Sequence, residues 1–450
     1  MTDTSYIWRA YATQLKQALG SGGFDPATQQ FSIATSTLQV GLGNPDPEIA
    51  LDYVYQMGNT VPKAGLGYAP GGDLNTAYLT FLNSIAYQGD PNPNLKSQLN
   101  VAANNLNTAQ GNYTKVLSSA ESAWQEYKAM APSISLPDYI DSQYPTYGAA
   151  YNALLAAQSD YDQLMAQAEG PGYQEIALAR QKAGPEGAAS MTVKNDFNMQ
   201  VKTGLTASSG SRSTLPGATP LPSSPSELSQ LLEPLYSIQG FTEKYQEWQT
   251  ASTRNEKAGH TISIDSASSY DSEQEFGWSS IGGDFRDFFD FFIDASGSDT
   301  HKNTKIVDTG SSAFSFECHF LGLTAFNIGP VGWFDESLVQ EYKDKLVSNA
   351  PDLFGAVHGS MGRMPYQAIL GFQPTITLRL ANENYQSYKH TSTQTSVSGM
   401  MIGPFMIGGG VHAHYSQKDM EFHDSANTIV INPPKSTEPL LLGVISTPLG

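Results

Sequence analysis

A series of small and apolar residues, spaced alternately by four and three positions, runs through the first half of the chain and leaves it little choice of local structure. Leu95, Leu99, Ala102, Leu106, Ala109, Tyr113, Val116, Ala120, Ala123, Tyr127 and Met130 keep the period of about 3.5 residues that marks a coiled-coil seam. Pro132 and Pro137 break the series, and Tyr147, Ala150, Leu154, Ala157, Tyr161, Leu164 and Ala168 resume it until Gly170-Pro171-Gly172. At about 1.5 Å per residue the first helix is roughly 50 Å long, and its apolar stripe has to be covered. The nearest cover is the second series folded back on the first, so 94–169 is read as an antiparallel heptad hairpin.

The flanks of that seam are Asn, Ser, Gln and Thr rather than the Glu/Lys pairs that stop a soluble coiled coil from taking further partners. Shorter helices are expected before it. Tyr6, Ile7, Tyr11, Leu15 and Leu19 lie at helical spacing, Asp46-Pro47-Glu48 opens a second helix, and a third begins at Leu74. Residues 1–206 are therefore expected to form an all-α N-terminal domain.

Pro216, Pro220, Pro222 and Pro225 among Ser, Thr and Gly give residues 207–226 the composition of a linker. A helix with its kink at Pro234 is expected over 226–252. From His260 the period changes to two: Ile262 and Ile264; Phe314, Phe316, Cys318 and Phe320; Ile376, Leu378 and Leu380; Ile429 and Ile431. Such alternation predicts half-buried antiparallel strands, so 227–450 is expected to be a mainly antiparallel β-sandwich-like domain. Inserted helices are expected at Asp284–Asp294 and after Asp335, and a last strand at Leu440–Ile445. The fold class expected is thus α+β.

Two stretches share one order of parts. His260-Thr261 leads to Gly277, Trp278, Ser279, Ser280, Ile281, Gly282, Gly283, and His390-Thr391 leads to Gly403, Pro404, Phe405, Met406, Ile407, Gly408, Gly409. Both contain Gly, three residues, Ile, Gly, Gly, which reads as a duplicated hairpin with a glycine-rich tip over 260–285 and 390–417. Apolar residues at such tips are candidate contacts between copies: Trp278, Ile281, Met400, Met401, Ile402, Phe405, Met406 and Ile407.

Charge narrows the class of partner. The net charge is −19 and no basic run occurs, which argues against nucleic acid and anionic membrane surfaces. Only 15% of residues are charged, against about 25% in an ordinary domain, and a polar surface without charge packs against itself at low desolvation cost. Cys318 stands alone and within an apolar alternating strand, so a buried, inert thiol is expected. No apolar run is long enough for a stable membrane span, and residues 1–23 lack the basic and apolar regions of a secretory signal. A cytoplasmic protein is expected, or one exported without a signal peptide.

Catalytic signals are sparse. Gly359-Ser360-Met361-Gly362 lacks the spacing of a nucleophile elbow, and Gly408-Gly409-Gly410 has no Lys beside it for a phosphate cradle. No catalytic residue is assigned. His412 and His414 share a face if they lie on a strand, and His423 could return beside them to hold a divalent metal. This glycine-preceded His-x-His pair resembles part of the cupin metal motif, which would imply a metal on a β-domain strand. Asp419 stands where that motif has Glu, and no later histidine completes it. The expected function is a structural protein that self-assembles into an oligomer, filament or shell. The alternatives are a membrane-active, pore-forming or toxin-like protein and a metal-dependent enzyme.

Overall fold

A computed structural model of the protein describes residues 5–20, 24–40, 42, 47–62, 65, 67–68, 70–86, 93–128, 136–169, 173–184, 235–254, 259–278, 292–294, 312–355, 359–394, 400–407, 415, 417–433 and 438–449. It is a mixed α+β fold. The first part runs α1 (Ser5–Ala18), β1 (Gln30–Gln39), α2 (Pro47–Asn59), β2 (Thr60–Pro62), β3 (Gly67–Tyr68), β4 (Pro70–Asp73) and α3 (Leu74–Ser84). Four helices follow, α4 (Pro93–Lys128), α5 (Leu136–Gln143), α6 (Pro145–Glu169) and α7 (Gln174–Ala183). Next come β5 (Tyr236–Ile238), α8 (Phe241–Thr253), β6 (His260–Asp265), β7 (Phe292–Asp294), β8 (Ser315–Pro330), α9 (Glu336–Tyr342) and β9 (Arg363–Arg379). The chain closes with α10 (Asn382–Gln394), β10 (Met400–Ile402), β11 (Phe405–Ile407), β12 (Met420–His423), β13 (Thr428–Ile431) and β14 (Leu440–Pro448).

The long strands β8 and β9 form the centre of the main sheet. They pair antiparallel from Ser315 opposite Arg379 to Asn327 opposite Gln367. The first half of β8 and the facing end of β9 alternate as the sequence predicts, with Phe316, Cys318, Phe320, Ile376 and Leu378 fully buried. Both strands then change face at one level. Phe320 and Leu323 belong to one core while Phe326 and Ile328 belong to the other, and Gln373 opposite this point has φ 44°. On the far side of β9 lie β13 beside Ile376–Arg379 and β14 beside Arg363–Gly371.

Strand β1 corrects the expectation that the first 206 residues are all helical. Gln30–Gln39 pairs antiparallel with β14, and β3 adds to it in parallel. Phe31 and Ile33, two apart, are fully buried there, so the alternation of a half-buried strand was present in FSIATS and lay between two helices. Helix α1 also joins the sheet, since Ile7, Trp8, Tyr11 and Leu15 share a core with Ile262, Phe316 and Ile429. The N-terminal and C-terminal parts thus build one core together. The 207–226 linker lies outside the described residues.

The opposite face of the sheet carries the core that α2 to α9 share. Helices α4 and α6 run in opposite directions: Val101 and Asn105 lie beside Ala157–Leu164, while Tyr113 meets Tyr147 with hydroxyls 3.2 Å apart. Leu99, Ala102, Leu106, Tyr113, Ala120 and Trp124 of α4 are buried, as are Tyr147, Ala150, Leu154, Tyr161 and Met165 of α6. Arg180 of α7 ties this pair to α3, donating to the Asp162 carboxylate, the Tyr173 hydroxyl and, at 3.0 Å, the Leu82 carbonyl.

Three local expectations change. Leu235 precedes a strand rather than continuing a helix, and α8 begins only at Phe241, after Gly240. Phe292–Asp294, expected to end a helix, is instead the strand β7 paired with β10. His390–Gln394, read as a strand arm, is the last turn of α10. That helix forms because Tyr385 and Tyr388 bury one of its faces, and tertiary packing overrides the strand preference of Ser/Thr.

Candidate functional site

Among the described residues the two stretches of the proposed duplicated hairpin are built differently. The first stretch sends β6 to pair with β8, Ile262 opposite Cys318. A 3-10 turn at Glu273–Phe276 follows, and then Gly277 at φ 79°. A side chain on Gly277 would lie 1.9 Å from the Gln29 carbonyl oxygen, so glycine there serves close backbone packing as well as the left-handed conformation. Trp278 is 5% exposed. Its indole N–H donates to the Phe31 carbonyl at 2.9 Å, and the Arg363 guanidinium lies 4.5 Å from its ring centroid.

The second stretch does form a hairpin, β10 with β11. Its turn is Gly403-Pro404 rather than the glycine run Gly408–Gly410, which lies outside the described residues. Ile402, Phe405 and Ile407 are at most 1% exposed and pack with Phe320 and Tyr415. These three side chains and Trp278, expected as contacts between copies, are covered within the chain itself, because alternate positions of the hairpin face its core. Met400, Met401 and Met406 lie on the same strands, at positions whose side chains are outside the description, as is Ile281 altogether.

Of the three candidate metal ligands, His412 and His414 fall outside the described residues. His423 ends β12, about half exposed, with its Nε2 3.7 Å from Glu421. Among the described residues no group of three or more His, Cys, Asp or Glu side chains converges. Cys318 is buried, and burial pushes its thiol well above its ordinary value, which leaves little thiolate. No described helix is long and apolar enough to cross a membrane.

Two surface features of the described residues bear on function. The first is the outer face of α4 and α6, a shallow groove of about 490 Å³ lined by Val101, Ala102, Asn105, Ala157 and Leu164 among Gln and Ser side chains and Asp160. Val101 is 57% exposed at its centre, the most exposed of the large apolar side chains described. Charge is sparse on both helices: Lys96, Lys115, Glu121, Glu126 and Lys128 on α4, Asp160, Asp162 and Glu169 on α6.

The second is a cleft of about 670 Å³ at the outer edge of β8, between α8 and the end of α1. Two short strands share that edge. Strand β6 covers Ser315–Phe320 and β5 covers Ile328–Pro330. Helix α8 takes the chain from one to the other, seating Phe241, Tyr245 and Trp248 on Phe326 and Phe372. On this outer edge Leu321–Asn327 has no strand beside it among the described residues, while its inner edge pairs with β9. The chain matches no protein-family model, no curated protein and no solved structure. Its function therefore has to be argued from these two surfaces.

The cleft is close to electrically neutral. Lys16 is 2.6 Å from Asp271 and also donates to the Glu275 carbonyl, and Lys244 is 2.6 Å from Glu247. Apolar lining comes from Leu19, Phe24, Leu321 and Leu323. A recognition surface built from backbone edge and apolar walls suits an uncharged polypeptide better than a phosphate or a nucleic acid. The uncovered edge could not be read from sequence, since it arises from where two short strands end.

Proposed function

We propose that the protein is a structural, self-associating protein whose copies meet through the outer faces of α4 and α6. The observation that carries this reading is Val101. A large apolar side chain stands mostly in water in a groove whose one charged lining residue is Asp160, whereas large apolar side chains in the rest of the described chain are mostly covered. In this reading α4 and α6 are the antiparallel heptad hairpin, the strands of 227–450 form a sandwich-like layer, and further helices from a second copy complete the bundle. Electrostatics favours the same face. The chain carries −19 overall, yet the two helices hold three lysines against five acids, so copies meeting there bring little of that charge together.

Light scattering after size exclusion, run over a range of concentrations and joined to negative-stain microscopy, tests the reading. Particles larger than the 48.5 kDa chain are expected, and Val101→Glu is expected to return them to monomer without changing the circular dichroism. A monomer at every concentration, or an assembly indifferent to Val101→Glu, overturns it.

A further inference from the structure

The uncovered stretch of β8 has the parts of a strand-addition groove. Hydrogen-bond direction along it can be read from its neighbours. The Gln239 N–H donates to the Asn327 carbonyl and the Val331 N–H to the Leu235 carbonyl, both at 2.9 Å, so the odd-numbered residues there turn their backbone groups outward. Backbone direction alternates along a strand, which aims the N–H and C=O of Leu323 and Ala325 at the same open edge. One of these acceptors is in use, since the Thr324 hydroxyl donates to the Leu323 carbonyl at 2.7 Å. Neither β5 nor β6 reaches the others, and no turn or loop bond among the described residues uses them.

The surroundings fit an incoming strand. Strands β5 and β6 already lie in line along this edge, so the plane of the sheet continues on both sides of the gap. Leu321–Asn327 spans roughly 23 Å at about 3.3 Å per residue. Helix α8 lies alongside with its apolar side on the sheet and Lys244, Glu247 and Ala251 facing the cleft, while Leu19, Gly20 and Phe24 form the opposite wall. A volume of about 670 Å³ is within the range of sites that enclose a ligand.

We propose that this groove binds an extended peptide segment of another protein, added to β8 as a strand between β5 and β6. The occupant is uncharged, because both lysines at the groove are already matched by acids, and carries apolar side chains to meet Leu19, Phe24 and Leu321 on its walls. Small anions and nucleic acid gain nothing from a site whose cations are neutralised. The proposal is independent of association through α4 and α6, since it concerns a different surface and a different kind of partner.

The test uses the full chain and a set of fluorescent seven-residue peptides in which threonine alternates with valine, isoleucine or tyrosine. Saturable binding is expected by anisotropy, together with slowed amide exchange at Leu323 and Ala325. Methylating alternate peptide nitrogens removes edge hydrogen bonds and leaves the side chains in place, and is expected to weaken binding by about tenfold or more. Ala325→Pro, which removes an outward N–H that the pairing with β9 does not use, is expected to weaken it similarly while melting is unchanged. Equal binding of methylated and unmodified peptides overturns the proposal, as does the absence of saturable binding across the set. Loss of peptide binding in step with self-association, restored by dilution, would make a second copy the occupant and would also overturn it. Because the peptide modification reports on the edge without altering the protein, a poorly folded Ala325→Pro variant leaves the test intact.

Discussion

Trp248 sits where residue 322 has no side chain: a Cβ on Gly322 would lie 2.3 Å from the Trp248 ring. The ring is stacked on Phe372 at 5.7 Å between centroids and 15° between planes, so it has little room to retreat. Gly322→Ala is expected to cost about 2–3 kcal/mol through overpacking. Denaturant unfolding checks the value, and a double-mutant cycle with Trp248→Leu checks the cause. The two substitutions together should cost clearly less than their sum. Strict additivity would mean that Gly322 matters for another reason.

Arg180 is 1% exposed and joins three helices, through Asp162 on α6, Tyr173 just before α7 and the Leu82 carbonyl on α3, with its guanidinium 4.8 Å from the Tyr161 ring centroid. Arg180→Ala leaves the Leu82 carbonyl without this donor and the Asp162 carboxylate with the Tyr173 hydroxyl but without its cation. A loss of about 3 kcal/mol is expected, the lower end for a broken buried pair because the Asp162 side chain retains 28% exposure. Arg180→Lys keeps the charge but not the planar fork and should recover only part of the loss. Urea unfolding of both variants decides. Equal stability of Lys and Arg at 180 would reduce the site to a point charge.

What could be read in advance follows from the range of the signal. The seam of α4 is local: Leu99, Leu106 and Tyr113 recur every seven residues and are buried. The alternation of Phe314, Phe316, Cys318 and Phe320 is local too, and all four are buried. Strand β1 was missed because its identity depends on β14, some 400 residues later, and its apolar positions are only Phe31 and Ile33 before Ser and Thr take over. The inward turn of Ile402 and Phe405 had no local mark at all. Apolar residues at a hairpin look alike whether the hairpin projects or lies flat on a sheet, and it is Phe320 and Tyr415 that settle it. The edge of β8 is less legible still, because it is defined by the ends of β5 and β6.

Asp424 gives the stability an acid-sensitive component. Its carboxylate accepts from the Lys389 ammonium at 2.6 Å and from the Tyr385 hydroxyl at 2.6 Å, and these bonds hold it below the ordinary aspartate value of 3.8. With the folded value below the unfolded one, the stabilisation is complete above the unfolded value and is lost as pH falls through the folded one. Asp424→Asn is therefore expected to melt below wild type at neutral pH, with the difference shrinking between about pH 5 and pH 2. Melting curves across that interval check it. A difference that stays constant with pH would assign the effect to packing.

Association through α4 and α6 carries a salt dependence opposite to that of an ion-paired interface. Copies of a chain with −19 net charge repel at distance, while the contact around Val101 holds few charges to be weakened. Raising ionic strength from about 0.01 M to about 0.1 M shortens the screening length from about 30 Å to about 10 Å, which removes the repulsion and leaves apolar contact unaffected. Assembly is therefore expected to strengthen with added salt, and light scattering at fixed protein concentration reads this directly. Val101→Glu should remain monomeric at the higher ionic strength as well, because burying an unpaired carboxylate costs desolvation that screening cannot return. If salt instead dissolves the particles, ion pairs elsewhere on the surface hold them together, and the α4 and α6 face is not the contact.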